Sequence, residues 1–304
     1  MTQQQAILMP SRPEPGAVLA LLKPITWFPP MWAFGCGVVS VWDLGRDTES
    51  WWLAAAGIVL AGPLVCGTSQ AVNDWFDRHV DAINEPDRPI PSGRIPNRWG
   101  LYIAVTWTVL SLAFAGLLGA WVFAAAVVGM SLAWAYSAPP LRLKQNGWWG
   151  NSAVAICYEG LPWFTGAAII SGALPHWHII VLALLYSTGA HGIMTLNDFK
   201  AIEGDHRTGV RSLPVQLGAA RAARCACGMM LLPQLVVIGL LFVWNHSVHA
   251  GIVSLIVLIQ VFLMRRLMTS PRELAPWYNA TGVSLFVMGM LVSALAIQSG
   301  IVSS

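Results

Sequence analysis

Eight of the 14 acidic side chains in this 304-residue chain fall in two short stretches. Asp74, Asp77, Asp81, Glu85 and Asp87 occupy the first, and Asp198, Glu203 and Asp205 the second. Asp74, Asp77 and Asp81 are spaced i, i+3, i+7, which is one face of a helix, and Asn73 stands beside that face. Asp198 and Asp205 repeat the i, i+7 spacing. Gly204 is placed to end a helix there and let Glu203 join them. Carboxylates stacked in this way repel one another, more strongly near a bilayer that lowers the dielectric. They persist cheaply only if cations neutralise them. A ligand set of oxygens, without His or Cys, favours Mg²⁺ over zinc or copper. A solvated helix end salted with arginines is the plainer reading, and it suits one acidic pair better than two such clusters. The candidate metal ligands are therefore Asn73, Asp74, Asp77, Asp81, Asp198, Glu203 and Asp205.

Basic side chains are interleaved with these acids, a pattern that a bare cation channel does not need. Magnesium is commonly held by a few carboxylates together with substrate phosphates, and Lys or Arg clamps the remaining phosphate oxygens. Arg88, Lys144, Lys200 and Arg211 are the candidates for that clamp. Arg78 reads equally well as a clamp or as the partner of a neighbouring acid. The parts are those of a diphosphate site. If the chain behind it is an apolar chamber, the ligand they describe is an isoprenyl diphosphate.

The elements that must carry these residues are membrane helices. The chain is 56% hydrophobic and only 10% charged, whereas soluble domains carry about 25% charge. That excludes a soluble globular enzyme, a disordered chain and a disulfide scaffold. Apolar runs of the length that crosses a bilayer predict an all-α polytopic membrane protein of nine transmembrane helices in one bundle. The runs are roughly 25–42, 51–72, 99–119, 120–137, 148–170, 176–197, 222–243, 248–268 and 278–299. Residues 1–24 read as an N-terminal tail without the pattern of a cleaved signal peptide, and 25–304 as a single domain. Of the 17 Lys and Arg residues, all but Arg46 fall on alternate connections. The positive-inside rule then places the N-terminus and both acidic clusters on the cytoplasmic side. Many of the 16 tryptophans fall near span ends, as an interfacial belt would require. The five cysteines lie inside apolar runs and read as buried small residues. Pro63, Pro162 and Pro233 fall within spans and predict kinks.

Longer strings carry a family resemblance. NDWFDRHVD resembles the first aspartate motif of the UbiA superfamily of intramembrane prenyltransferases, and NDFKAIEGD its second. DAINEPDRPIPSGRIP, YSAPPLRLKQNGWWGN, GLPWFTG and NDFKAIEGDHRTGVRSLPVQLG are similar to the chlorophyll and bacteriochlorophyll synthase branch, as is KPITWFPPMWAFGCGVV. Asp87 leans toward the bacteriochlorophyll side. The match runs from about residue 20 to 220, and the last three spans match in hydropathy only. The second motif departs from the common form: Ala201 and Ile202 stand where many relatives carry another aspartate, with Glu203 as the candidate replacement.

The resemblance implies a reaction. The C17 propionate of bacteriochlorophyllide a attacks C1 of geranylgeranyl or phytyl diphosphate, and diphosphate leaves. It implies Mg²⁺, with two ions bridging the diphosphate, and catalytic roles for Asp74, Asp77 and Asp198. It also implies a bacterial photosynthetic inner membrane, with membrane lipid and other pigment-biosynthesis or assembly proteins as partners and no nucleic acid. A carboxylate acceptor is ionised at neutral pH and needs no general base. The basic candidates above then divide between the diphosphate and the propionate. The proline-rich connection EPDRPIPSGRIP reads as a stiff cap over the mouth or as a plain rigid loop. Glu159, near mid-span, is a substrate-binding candidate lining a pigment pocket, or a protonated acid bonded to another helix. His191 approaches the pigment or makes a structural hydrogen bond, and Trp75 or Trp163 flanks the cation or the macrocycle. The competing functions are the same fold acting on a quinone precursor or haem, and a divalent-cation transporter. A CDP-alcohol phosphotransferase is disfavoured because its D-G-x-x-A-R element is absent.

Overall fold

The computed structural model describes residues 12–43 and 48–302, and side chains through residue 298. Arg46, the single basic residue expected on the outer side, lies outside the described residues. The chain is all-α. Among the described residues the only ladder contact is an isolated bridge between Asn146 and Arg211.

The apolar runs fold as expected, with instructive differences at their ends. The first forms a bent pair rather than a straight span. Helix α1 (Pro15–Leu22) and a single turn at Pro24–Thr26 meet α2 (Phe28–Val41) at 57°. Residues of the expected tail thus form a packed helix: Ala17, Leu21 and Leu22 are buried with Ala71, Val72 and Ile95. The second run does not stop at residue 72. Helix α3 continues from Thr48 to Asn84, so the first three aspartates sit on a helix as their spacing requires, and Arg78 sits there with them rather than in a connection. No proline interrupts 67–84, and the apolar face persists through Ala71 and Val72 into Phe76. The remaining spans are α4 (Trp99–Leu118), α5 (Ala120–Ser137), α6 (Gly147–Ser171) and α7 (Trp177–Asn197). Two short helices follow, α8 (Ile202–Thr208) and α9 (Leu213–Leu217). Then come α10 (Ala219–Val243), α11 (Ser247–Leu267) and α12 (Pro271–Val302). Among the described residues, eight helices, or nine spans with the bent pair, are long and apolar enough to cross a membrane.

Two of the three marked prolines sit at real irregularities. Leu60–Cys66 is π-helical around Pro63, and Ile156–Gly160 is π-helical just before Pro162. A proline lacks the N–H of the regular ladder, and a π-turn re-registers the freed carbonyls. Pro233 lies inside an uninterrupted α10.

Small residues let the helices approach closely, as expected where lipid leaves no hydrophobic drive between them. A Cβ on Gly166 of α6 would meet the Phe34 carbonyl of α2, and one on Gly37 would meet the Trp163 carbonyl. Trp163 is fully buried, stacked on Tyr186 with ring centroids 5.6 Å apart, and its indole N–H donates to Ser40 Oγ at 3.1 Å. It is therefore a packing residue and does not flank the cavity. Trp51, Trp52, Trp149 and Trp177 are exposed, as belt residues should be.

Polar glue joins α10 to α11. Gln234 and Gln260 are both fully buried and exchange amide hydrogen bonds of 3.0 and 3.2 Å. Gln260→Leu alone strands the Gln234 Oε1, while its Nε2 keeps the Met230 carbonyl at 2.8 Å, and should destabilise the protein by about 1–3 kcal/mol, seen as a lower melting temperature in detergent. The double change Gln234→Leu, Gln260→Leu should recover most of the loss. Equal melting of the single variant and the parent would mean the pair is idle.

Candidate functional site

A cavity of about 600 Å³ opens between α2, α3, α5, α6, α7 and α12. Its walls are largely apolar. At one end four polar side chains meet: Asn73 of α3, Tyr136 of α5, Asn197 of α7 and Asn279 of α12. Asn73 and Asn197 each stand one residue before an acidic segment, so both segments begin at the same end of the same cavity. The Tyr136 hydroxyl lies in the fields of Asp198, Asp77 and Asp205 together.

The first segment is wrapped in cations. Asp74, 2% exposed, accepts from Lys23 Nζ at 2.7 Å and from the Arg88 guanidinium at 3.3 Å, both at Oδ1. Its Oδ2 is buried without a partner. The same Arg88 nitrogen donates to Asp81 Oδ2 at 2.9 Å, and the rest of the guanidinium clasps Glu85 at 2.6 and 2.9 Å. One arginine thus ties the end of α3 to the loop 85–98. That loop is braced by its own turns and by Arg94, which donates to the Asp87 carbonyl at 2.7 Å. Asp77 is paired with Lys144 and, at 3.4 Å, with Arg142. Burial pulls the Lys144 pKa below that of an ordinary lysine while Asp77 beside it opposes the shift, so its charge depends on a nearby anion. Asn73 donates weakly to Ser137 Oγ at 3.4 Å.

The second segment is held differently. Asp198 Oδ2 accepts from the Asn151 amide at 3.0 Å, and that amide also reaches Thr195. Lys200 is exposed and lies within electrostatic reach of Asp198. Asp205 is half-buried. The segment is latched to the loop before α6 by the Asn146–Arg211 bridge: the Arg211 N–H donates to the Gln145 carbonyl at 2.9 Å, and the Gly147 N–H to the Arg211 carbonyl at 2.8 Å. That loop also carries Arg142 and Lys144, so it connects the two acidic segments mechanically.

Some sequence candidates stand apart. Glu203 is exposed and pairs with exposed Arg272 at 2.7 Å, away from the cavity lining. Among the described residues Arg78 pairs with no acid. Its guanidinium stacks 4.0 Å over the Trp75 ring and donates to the Trp75 carbonyl at 2.6 Å. Arg211 contributes its backbone to the bridge, and its side chain is exposed. His191 Nε2 faces the Trp148 carbonyl at 3.3 Å, a structural contact. Glu159 lies in the cavity wall, buried, with Oε2 unpartnered.

Five residues at the site were not singled out by type and spacing. Lys23 and Arg142 had entered only as counts in the charge asymmetry, Asn151 and Tyr136 only as letters in longer strings. Asn279, whose amide donates to Asn197 Oδ1 at 2.7 Å, sits in a part of the chain read for hydropathy alone. No local pattern marks any of them; each matters through a partner distant in sequence.

Among the described residues no three carboxylate, imidazole or thiol groups converge on a ready metal position. The side chains nonetheless fit a divalent cation that arrives on a diphosphate. Their donor atoms are oxygens, and Asp74 presents a buried oxygen with no donor against it. The cations now resting on Asp74 and Asp77 are the groups that phosphate oxygens would attract in turn.

The model of the UbiA prenyltransferase family matches residues 31–288. The chain is 60% identical over 290 residues to the bacteriochlorophyll synthase 33 kDa chain of Cereibacter sphaeroides, covering 95% of each. It is 52% identical over 301 residues to the protein of the same name from Rhodobacter capsulatus, covering 96% of this chain and 97% of that one. A UbiA homolog from Archaeoglobus fulgidus, solved bound to GPP and Mg²⁺, shares the fold with a TM-score of 0.70 at 21% identity, over 93% of this chain and 99% of that one. With two N-D acidic segments on one intramembrane cavity, and a family match over most of its length, this integral membrane protein belongs to the UbiA prenyltransferase family.

Proposed function

We propose that the protein esterifies the C17 propionate of bacteriochlorophyllide a with a geranylgeranyl or phytyl group taken from its diphosphate. The observation that carries this reading is the pairing of Asn73-Asp74 and Asn197-Asp198 at one end of a single apolar cavity, ringed by Lys23, Arg88, Arg142 and Lys144. The identity to two bacteriochlorophyll synthases across nearly the whole chain supports the acceptor.

Asp74, Asp77 and Asp81 on one side, and Asp198 and Asp205 on the other, would each hold a magnesium ion, with Asn73 as a further oxygen ligand. Magnesium, when bound, neutralises the charge that builds on the departing diphosphate. Arg88 and Lys144 turn from their carboxylates to phosphate oxygens. The ionised propionate forms its C–O bond at C1 as the C1–O bond to diphosphate breaks, and the electron pair leaves with the diphosphate. No proton moves, so no general base is required. The loop 85–98, stapled through Arg88, shields the allylic carbon from water. The mouth faces the cytoplasm of a photosynthetic inner membrane.

Purified protein given bacteriochlorophyllide a, geranylgeranyl diphosphate and Mg²⁺ should yield the esterified pigment by mass spectrometry and leave 4-hydroxybenzoate unprenylated. Turnover of 4-hydroxybenzoate alone would refute the assigned acceptor.

A further inference from the structure

Glu159 is the one ionisable carboxyl among the residues lining the cavity, and no Lys, Arg or His among the described residues lines it. It is 4% exposed and sits in the π-helical turn Ile156–Gly160 of α6. Insertions of this kind re-aim side chains and recur at functional sites. The residue before it in the wall, Tyr158, is satisfied. The Tyr158 hydroxyl accepts from the Gln70 amide at 3.1 Å and from Cys66 Sγ at 3.5 Å. Glu159 Oε2 has no partner.

An unpaired carboxylate in such a wall costs far more than a neutral acid, so Glu159 carries its proton and presents an O–H donor to the cavity. A hydrocarbon tail cannot satisfy that donor. An occupant that covers it without penalty must bring a hydrogen-bond acceptor. Depth narrows the choice. Asn151, bonded to Asp198, marks the reacting end. Glu159 lies eight residues further along α6, roughly 12 Å deeper at 1.5 Å per residue. With the propionate at the reacting end, the ring-E keto group beside it stays near that end. The acetyl carbonyl sits on the outer edge of ring A, on the side of ring D away from ring E, and so lies farther from the propionate, at about the depth of Glu159.

We propose that Glu159 is a specificity-determining residue that donates a hydrogen bond to the ring-A acetyl oxygen of the tetrapyrrole acceptor. The inference rests on the acceptor proposed above. It makes Glu159 the group that tells a 3-acetyl pigment from its 3-vinyl analogue, because the vinyl group leaves the buried donor unpaired.

The test compares bacteriochlorophyllide a with 3-vinyl bacteriochlorophyllide a on the purified full chain and its E159L and E159Q variants. E159L should raise KM for the acetyl pigment about tenfold, lower KM for the vinyl pigment because no donor is then left unpaired, and leave KM for geranylgeranyl diphosphate unchanged. E159Q keeps an N–H donor and should stay within about threefold of the parent. The parent enzyme supplies a readout that needs no variant: the acetyl C=O stretch of the bound pigment should move to lower frequency than in the free pigment. An unshifted stretch, or an equal loss on both pigments in E159L, overturns the role of Glu159 while leaving the acceptor standing. A parent enzyme that esterifies neither pigment overturns the acceptor itself, and this inference with it.

Discussion

Asp74→Ala and Asp198→Ala are each expected to lower pigment esterification by roughly 10²–10³-fold, the size seen when one preorganised group facing a developing charge is removed. The two replacements act from opposite sides of the site. Asp74 is 2% exposed and offers the unpartnered Oδ2, so its loss removes an oxygen that no neighbour can replace. Asp198 is oriented by Asn151, itself fixed on α6, so its loss empties the second side without disturbing the first. Neither change should prevent insertion, because each replaces a charged side chain with a small apolar one and leaves the apolar spans intact. Product formation at saturating Mg²⁺, with gel filtration in detergent to verify the fold, checks both. Near-parental turnover in the two variants would remove the metal argument altogether.

Arg88→Ala carries the next largest expected effect, because one guanidinium serves three carboxylates. Charge-assisted hydrogen bonds contribute about 1.5–3 kcal/mol each, so losing a clamp on phosphate oxygens should raise KM for the prenyl diphosphate about a hundredfold. The same change unties loop 85–98 from Asp74 and Asp81. Water should then reach the allylic carbon more often, and hydrolysis of the prenyl diphosphate should rise relative to transfer. Measuring free prenyl alcohol against esterified pigment separates the two consequences. A raised KM with unchanged partitioning would keep Arg88 as a phosphate ligand and remove the loop from any shielding role.

Much of the site was legible because helix periodicity is local. Asp74, Asp77 and Asp81 at i, i+3, i+7 had to share a face once α3 formed, and Asn73 had to adjoin it, as Asn197 had to adjoin Asp198 on α7. The choice among the cations was not legible. Arg78 sits next to Asp77 in sequence yet turns back onto the Trp75 ring, whereas Lys23 reaches Asp74 from 51 residues away. Adjacent residues on a helix point about 100° apart, so neighbours in sequence are poor partners. Glu203 shows the same rule: it sits among the acids of the second segment and is drawn outward by Arg272, 69 residues on.

From composition, apolar run length and acid spacing alone came an all-helical membrane bundle, its eight or nine candidate spans and two carboxylate clusters suited to magnesium diphosphate. Those properties follow from hydrophobic length and helical period, which each segment carries by itself. Only the packed bundle decided that both clusters border one cavity, that Lys23, Arg88, Arg142 and Lys144 meet the first of them, and that a π-turn leaves Glu159 unpaired in the wall. These are contacts between distant segments, and they exist only once small residues such as Gly37 and Gly166 let the helices close to a fixed distance.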